Sequence, residues 1–247
     1  MPEQLALTRL LNQLFGPVVA QAMQAVGAHP AQPAAPINDT FALELMVACL
    51  LIAFFIVVRL TLSVENPNPA QQVAEMIHEF TADQAGSVIG HGYEKFQAYV
   101  TCIFLFILLN NLIGLLAGFP GVNTPTSDPA VPFGLAVLTF LYYNFYGLRT
   151  HGPIGYLKQF AGPVWWISWL LFPVEIISHL ARMMSLTIRL YANMLASDLL
   201  TLICFSMIPI LAPVLFLGLH ALVAAIQAYV FMLLSMIYVG MAVSQDH

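Results

Sequence analysis

The sequence predicts an all-α protein that crosses a membrane several times, and three observations support that prediction. Of its 247 residues, 60% are hydrophobic and 8% are charged, whereas about 25% of the residues in soluble domains are charged. The sequence contains several uncharged runs of a length that suits helices crossing a hydrocarbon core of about 30 Å. Polar side chains inside these runs return at helical spacing. The net charge is only −5 over 247 residues, which does not indicate nucleic-acid binding.

The N-terminal segment, residues 1–38, is predicted to be distinct from a membrane domain over residues 39–247. Apolar side chains recur at helical spacing over residues 3–26, which is typical of an amphipathic helix at a membrane interface. Residues 27–36 are rich in proline and alanine and therefore read as a stiff linker.

The first membrane element is predicted over residues 41–62, where Asn38, Asp39 and Thr40 offer a helix cap. Glu44 lies near the start of this element. An acid in the first turn suits the helix dipole, and a role in ion access is the alternative.

Two further helices follow. Residues 70–90 form a short amphipathic helix that is expected to lie on the membrane surface. Residues 96–119 form the second span, which contains Asn110 and Asn111. Amides at this depth need hydrogen-bond partners, so the two asparagines either join neighbouring helices or line an aqueous path.

The third span is predicted over residues 133–147 and ends in a belt of tyrosines. Arg149 and Lys158 are expected in the short polar loop that follows. Three tryptophans between positions 165 and 169 then mark the return of the chain to the membrane.

The fourth element, residues 164–208, carries several ionisable groups in an apolar setting. Each costs about 2.5–3.5 kcal/mol at membrane depth, so their presence implies a use, most often an ion pathway. At 1.5 Å per residue these 45 residues make a helix on the order of 65 Å long, which must tilt strongly. At 100° per residue Asp198 lies opposite a single polar stripe. That stripe consists of Glu175, His179, Arg182, Arg189 and Asn193.

The fifth element, residues 211–243, is joined to the fourth by a short turn, so the two should pack as an antiparallel hairpin. His220 and Asp198 are each about 10–12 residues from the turn and can lie at one depth. Gln227 and Arg189 are each about 20 residues from it and can also lie level.

The distribution of basic residues predicts the orientation. With five membrane elements the two termini lie on opposite sides, and four of the basic residues outside the fourth element fall on the C-terminal side against Arg9 alone. The positive-inside rule therefore predicts a cytoplasmic C-terminus.

Several polar residues have ordinary structural explanations when each is considered alone. Arg189 can pair with Glu175 or a backbone carbonyl, Glu175 can be a first-turn acid near water, and His179 can be a packing histidine. The amides of Asn193 and Gln227 can join helices.

The pair of Asp198 and His220 fits a proton relay or a static ion pair. The three cysteines lie in separate apolar runs, and no metal, haem, phosphate-loop or nucleophile motif occurs. The sequence therefore predicts no cofactor, no metal site and no enzymatic centre, and its polar groups suit charge transfer.

Three stretches carry a resemblance to a known family. They are RLYANMLASDLL (189–200), LHALVAAIQAYVFMLLSMIYVGMA (219–242), and NNLIGLLAGFPG (110–121) with TPTSD (124–128). Through these stretches the sequence resembles subunit a of F-type ATP synthases, and the resemblance covers about residues 38–247. Tyr191-Ala192 stands where Phe-Gly is common in that family, Ser197 replaces a common glycine, and Asp198 is shorter than the frequent glutamate.

The resemblance implies a stator subunit that couples proton flow to ring rotation and ATP synthesis through two offset half-channels. It assigns Arg189 as the essential arginine facing the c-ring carboxylate, with Asn193 and Gln227 as polar neighbours. It places Asp198 and His220 in the outer half-channel. It also marks Glu175 and His179 as polar positions on the same tilted helix.

The partners implied by the resemblance are the c-ring, the peripheral-stalk b subunits, the lipid bilayer and the translocated proton, with nucleotide chemistry on other subunits. The expected location is an energy-transducing membrane, the bacterial inner membrane. Two alternatives are an ion-coupled secondary transporter and a structural membrane subunit. The sequence has no inverted repeat of the transporter kind, and five spans fit a transporter poorly.

Overall fold

All regular secondary structure in the residues that the structure describes is helical. The computed structural model describes residues 5–25, 36–116, 124–161, 168–207 and 211–243. Within them the chain forms seven α-helices and one 3₁₀ turn at Pro125–Ser127. The helices are α1 (Ala6–Ala25), α2 (Asp39–Leu60), α3 (Pro69–Ile89), α4 (Glu94–Leu116), α5 (Ala130–Ala161), α6 (Ser168–Met207) and α7 (Leu211–Val243).

Five of these helices are long and apolar enough to cross a membrane, namely α2, α4, α5, α6 and α7. The predicted fold class, an all-α polytopic membrane protein with about five membrane elements, is therefore confirmed. The tryptophans at positions 165 and 166 lie outside the described residues, as do residues 208–210 of the turn expected at residues 207–213. Residues 211–213 of that turn already belong to α7, so the turn is shorter than predicted.

The third membrane helix is longer than the sequence predicted. The sequence predicts a loop at Arg149 and Lys158, but α5 includes both positions, so the predicted loop is wrong. A break occurs at Gly152, whose φ of 70° and ψ of 164° are not helical. Glycine adopts this positive φ without the steric cost of a Cβ atom, so one helix can follow another across the kink.

Helices α6 and α7 form the long antiparallel hairpin. Asn193 of α6 is hydrogen-bonded to Gln227 of α7, and Ser197 of α6 is hydrogen-bonded to His220 of α7. Moving forward along α6 therefore corresponds to moving backward along α7. At 40 residues, α6 is about 60 Å long, twice the thickness of a hydrocarbon core. A helix of this length can keep its apolar faces out of water only if it runs obliquely.

The main hydrophobic core lies between α4, α5, α6 and α7. Small residues on α7, Ala224 and Ala228, are fully buried and let the neighbouring helices approach closely. Larger side chains fill the space around them: Ile103, Ile107, Leu186, Leu190, Met194 and Phe231. Because this core holds one side of α6, it fixes which residues α6 turns outward.

The amphipathic helices turn apolar side chains away from the protein. On α3 the buried residues are Gln71, Thr81 and Ala85, whereas Met76 and Phe80 are exposed. This arrangement suits a helix that lies on a membrane surface.

Helix α1 is tied to the start of α2 through polar side chains. The Asn12 amide donates to Ile37 O at 3.1 Å and accepts from Ile37 N at 3.0 Å. The hydroxyl of Thr8 donates to the carboxylate of Asp39. Leu14 and Val18 of α1 stay exposed, so α1 also offers an apolar face to its surroundings.

Candidate functional site

A polar group that we call the Asp198 cluster joins α4, the 3₁₀ turn, α6 and α7. Asp198 accepts two hydrogen bonds from Thr124, one from Oγ1 at 2.7 Å and one from the backbone N–H at 3.2 Å. His220 Nδ1 lies 3.8 Å from Asp198 Oδ1, so the two side chains lie level, as the hairpin argument predicted. The cluster consists of Asn111, Thr124, Ser197, Asp198 and His220.

His220 is 2% exposed and uses both ring nitrogens. Nδ1 lies 2.7 Å from Ser197 Oγ, and Nε2 lies 3.3 Å from the backbone oxygen of Asn111. A carbonyl oxygen can only accept, so in the neutral ring we assign the proton to Nε2, and Nδ1 accepts from the serine hydroxyl. A second proton on Nδ1 would then point toward the Ser197 and Asp198 side.

The 3₁₀ turn is held in place by its threonines. Thr126 Oγ1 donates to Asn111 Oδ1 at 2.6 Å, and the amide of Asn111 donates to Ala224 O of α7 at 3.3 Å. Asn111 therefore joins three elements and also borders His220. Both alternatives raised for this asparagine, interhelical bonding and a polar lining, are compatible with these contacts.

Gly114 leaves the space that the cluster occupies. A Cβ atom at this position would overlap the side chain of Thr124 and lie 3.0 Å from His220 Nε2. The close approach of Thr124 to α4 and α6 therefore depends on the absence of a side chain at residue 114.

The Glu175 cluster lies near the opposite end of α6. Glu175 Oε1 is 3.5 Å from His179 Nε2 and 3.9 Å from an Arg182 nitrogen. Tyr143 of α5 completes the cluster, because its hydroxyl lies 2.8 Å from His179 Nδ1. The guanidinium of Arg182 also lies over the ring of Tyr238, 5.6 Å from its centre.

Arg189 lies between the two clusters. Among the described residues no carboxylate lies within 4.0 Å of its guanidinium, and the side chain is partly exposed. Glu175 contacts His179 and Arg182 instead, so the structure gives no support to the pairing of Arg189 with Glu175. One turn after Arg189, the amide of Asn193 donates to Gln227 Oε1 at 3.0 Å.

The two clusters remain apart. Glu175 and Asp198 are separated by about 35 Å along the helix axis, with Arg189 about 21 Å from the first and about 14 Å from the second. The structure thus brings the seven predicted residues into two groups with the Arg189 region between them. The first group contains Glu175 and His179, the second Asp198 and His220, and the middle region Arg189, Asn193 and Gln227.

Sequence reasoning missed two contributors. Thr124 was quoted only within the TPTSD motif, and Tyr143 only within the tyrosine belt, yet each bonds a predicted residue.

Glu44 has one carboxylate oxygen that is buried without a hydrogen-bond partner in the described residues, and Asp128 lies within electrostatic range of it. The part of the chain that the structure describes contains no cluster of three or more residues suited to a metal ion.

Comparisons with known proteins agree with one another. Residues 41–240 match the family described as ATP synthase A chain. A relative from Koribacter versatilis (strain Ellin345), named ATP synthase subunit a, is 48% identical over 248 residues and covers 100% of both chains. The protein of the same name from Solibacter usitatus (strain Ellin6076) is 40% identical over 88% of this chain and 92% of its own length. A third relative of the same name, from Bdellovibrio bacteriovorus, is 40% identical over 71% of this chain and 75% of its own length.

Proposed function

The chain belongs to the family of ATP synthase A chains, and from that premise we propose how its own residues carry protons. Family membership makes it a multi-pass, proton-translocating stator subunit of the ATP synthase complex. Our proposal concerns the finer mechanism: two half-channels end near the two polar clusters of α6, and Arg189 separates them. The transporter and structural-subunit alternatives have no support from the comparisons.

Arg189 carries the proposal. A guanidinium stays protonated in proteins, and this one is partly exposed with no acid partner among the described residues. Its charge is therefore available to a carboxylate on another protein, which we propose is that of the c-ring. A cation within about 4–6 Å stabilises the ionised form of such a carboxylate. A protonated carboxyl group of the ring that arrives at Arg189 would release its proton into the adjoining half-channel, and the fixed cation would repel protons that try to cross directly.

Asn193 and Gln227 form the polar neighbourhood of this cation. Their mutual hydrogen bond holds two amides one turn from Arg189 at the contact of α6 with α7. Asn193 is exposed and Gln227 is 4% exposed. We propose that the buried glutamine orients the exposed asparagine toward the ring.

The Asp198 cluster is proposed as the inner end of the outer half-channel. Asp198 is 20% exposed and His220 is 2% exposed, so a proton can pass from a partly hydrated carboxylate to a buried imidazole. Asp198 can bind and release a proton, and the Ser197 hydroxyl, hydrogen-bonded to Nδ1, can donate and accept hydrogen bonds on the way to the imidazole. Thr124 keeps the carboxylate oriented through its two hydrogen bonds.

The Glu175 cluster is proposed to serve the opposite half-channel. Glu175 is 40% exposed at its side chain, whereas His179 is 13% exposed and contacts both Glu175 and Tyr143. The arrangement can move a proton between the imidazole and a hydrated carboxylate. Arg182 partly balances the charge of Glu175.

We further propose the setting of the subunit. The outward face of α6 lies against the c-ring, other surfaces contact the peripheral-stalk b subunits, and nucleotide chemistry takes place on other subunits. Residues 39–247 act as the membrane domain, with residues 1–38 as a separate N-terminal segment. The excess of basic residues on the C-terminal side supports a cytoplasmic C-terminus, and the bacterial relatives support an inner-membrane location.

The test of this proposal is Arg189→Ala in the complete ATP synthase. Without the cation, a returning carboxylate keeps its proton, so we expect proton-driven ATP synthesis to be lost while the complex still assembles. The assay is ATP synthesis by membrane vesicles under an imposed proton gradient, in which each charge crossing 100 mV releases about 2.3 kcal/mol. The matched control is Arg59→Ala, which removes an exposed cation at the end of α2. Normal synthesis by the Arg189 variant would refute the assignment.

A further inference from the structure

A cavity of about 800 Å³ opens where three membrane helices end. The candidate spans place the beginning of α4 at Glu94, the end of the α5 span at Gly152 and the end of α7 at Val243. Residues close to each of these three positions line the cavity. It therefore lies at one boundary between the membrane and water, away from the Asp198 cluster.

The wall of this cavity combines cations with apolar groups. Lys95 and Arg149 are exposed at the cavity, and neither has a carboxylate within 4.0 Å among the described residues. Phe96 and Tyr146 form an aromatic wall, with ring centres 4.9 Å apart. Val243 adds an aliphatic side chain. A ligand that suits this wall has an anionic part and an apolar part.

Glycines keep the cavity open. Gly90 and Gly92 have φ of 79° and 89°, values that favour glycine, and they turn the chain from α3 into α4. Gly240 lies where α7 packs against the end of α3, and an added Cβ would make an ordinary contact there, 3.5 Å from Val88 O. Gly92 and Gly240 both line the cavity and place no side chain in it.

We propose that this cavity binds the headgroup of an anionic phospholipid. The phosphate lies between Lys95 and Arg149, and the upper part of an acyl chain lies against Phe96. The position at the membrane boundary favours a lipid over a free anion, because basic pockets between membrane helices on one face are suited to anionic headgroups. Arginine and lysine both bind phosphate oxygens, arginine with two parallel hydrogen bonds and lysine as a point charge. This inference uses no residue of the proton path, so it stands or fails independently of the function proposed above.

The experiment compares lipid binding by the intact complex after purification in a neutral detergent. Phosphatidylglycerol and phosphatidylcholine are titrated separately, and the bound lipid is counted by native mass spectrometry on the released subunit. We expect the wild type to prefer phosphatidylglycerol. Each basic residue near an anionic lipid is worth about a fivefold change in affinity, so Lys95→Gln with Arg149→Gln should weaken this binding about twenty-fivefold.

Two controls separate charge from structure. Arg59→Gln removes an exposed cation at the end of another span and should leave phosphatidylglycerol binding unchanged. The exchange of Lys95→Arg with Arg149→Lys keeps both charges and should retain binding.

Three results would overturn the proposal. The first is undiminished phosphatidylglycerol binding by the double glutamine variant. The second is an equal loss of binding in the charge-retaining exchange, which would indicate a structural effect. The third is displacement of the lipid by inorganic phosphate alone, which would indicate a site for small anions.

Discussion

Replacing Gly114 with alanine should disturb the Asp198 cluster through packing alone. The new Cβ atom would overlap the Thr124 side chain and lie 3.0 Å from His220 Nε2. The distance from that position to Thr124 Cβ is only 2.9 Å, so rotating the hydroxyl away is insufficient and the backbone of the 3₁₀ turn must move. Such a movement carries Thr124 away from Asp198.

The size of the effect follows from three contributions. An extra methyl group in a packed interior costs about 1–3 kcal/mol, and weakening a hydrogen bond to a charged group costs about 1.5–3 kcal/mol. Alanine in a helix interior offsets these losses by about 0.5–1 kcal/mol relative to glycine. We therefore expect Gly114→Ala to destabilise the subunit by about 1.5–5.5 kcal/mol and to lower proton flux.

Gly134→Ala is the matched control. Gly134 also lies in a membrane helix, and an added Cβ would meet nothing within 4 Å, so this variant should be neutral or more stable by up to about 1 kcal/mol. The measurements are thermal stability of the purified complex and ATP-driven acidification of inverted vesicles. If the two alanine variants behave alike in both assays, the close contact at Gly114 does not constrain the cluster, and the reasoning fails.

Two further predictions concern the proposed proton groups. Asp198→Asn keeps the shape of the side chain but removes its proton exchange, so proton-driven ATP synthesis by vesicles should fall, though less than in Arg189→Ala; unchanged synthesis would count against a channel role for Asp198. Tyr143→Phe removes the 2.8 Å contact with His179, a neutral hydrogen bond worth about 0.5–1.5 kcal/mol. Proton pumping should therefore slow by up to about tenfold while the complex still assembles. A variant that pumps at the wild-type rate would exclude a positioning role for this tyrosine.

The hairpin illustrates how far helical periodicity reaches. Counting residues from the turn was enough to predict that Asp198 and His220 lie level, and they lie 3.8 Å apart. The two residues lie level because an α-helix has a fixed rise per residue and two helices joined by a short turn have little freedom to slide. The predicted level position of Arg189 and Gln227 is off by about one helical turn, because Gln227 is hydrogen-bonded to Asn193, which lies one turn after Arg189 on α6.

The third membrane helix illustrates where such reasoning stops. Hydropathy falls after residue 147, so the sequence suggested a loop at Arg149, yet the helix continues to the break at Gly152. Hydropathy reports which solvent suits a segment, whereas backbone hydrogen bonds can extend a helix into water beyond the membrane boundary.

The sequence by itself determined the membrane class, the helical elements, the polar stripe on α6 and the family, because these depend on composition and on geometry within single helices. Only the tertiary structure decided which partners the polar groups meet. Thr124 reaches Asp198 across 74 residues of sequence, and Tyr143 reaches His179 across 36. Such contacts depend on the packing angles of several helices and on the gap left at Gly114, and local periodicity carries no information about either.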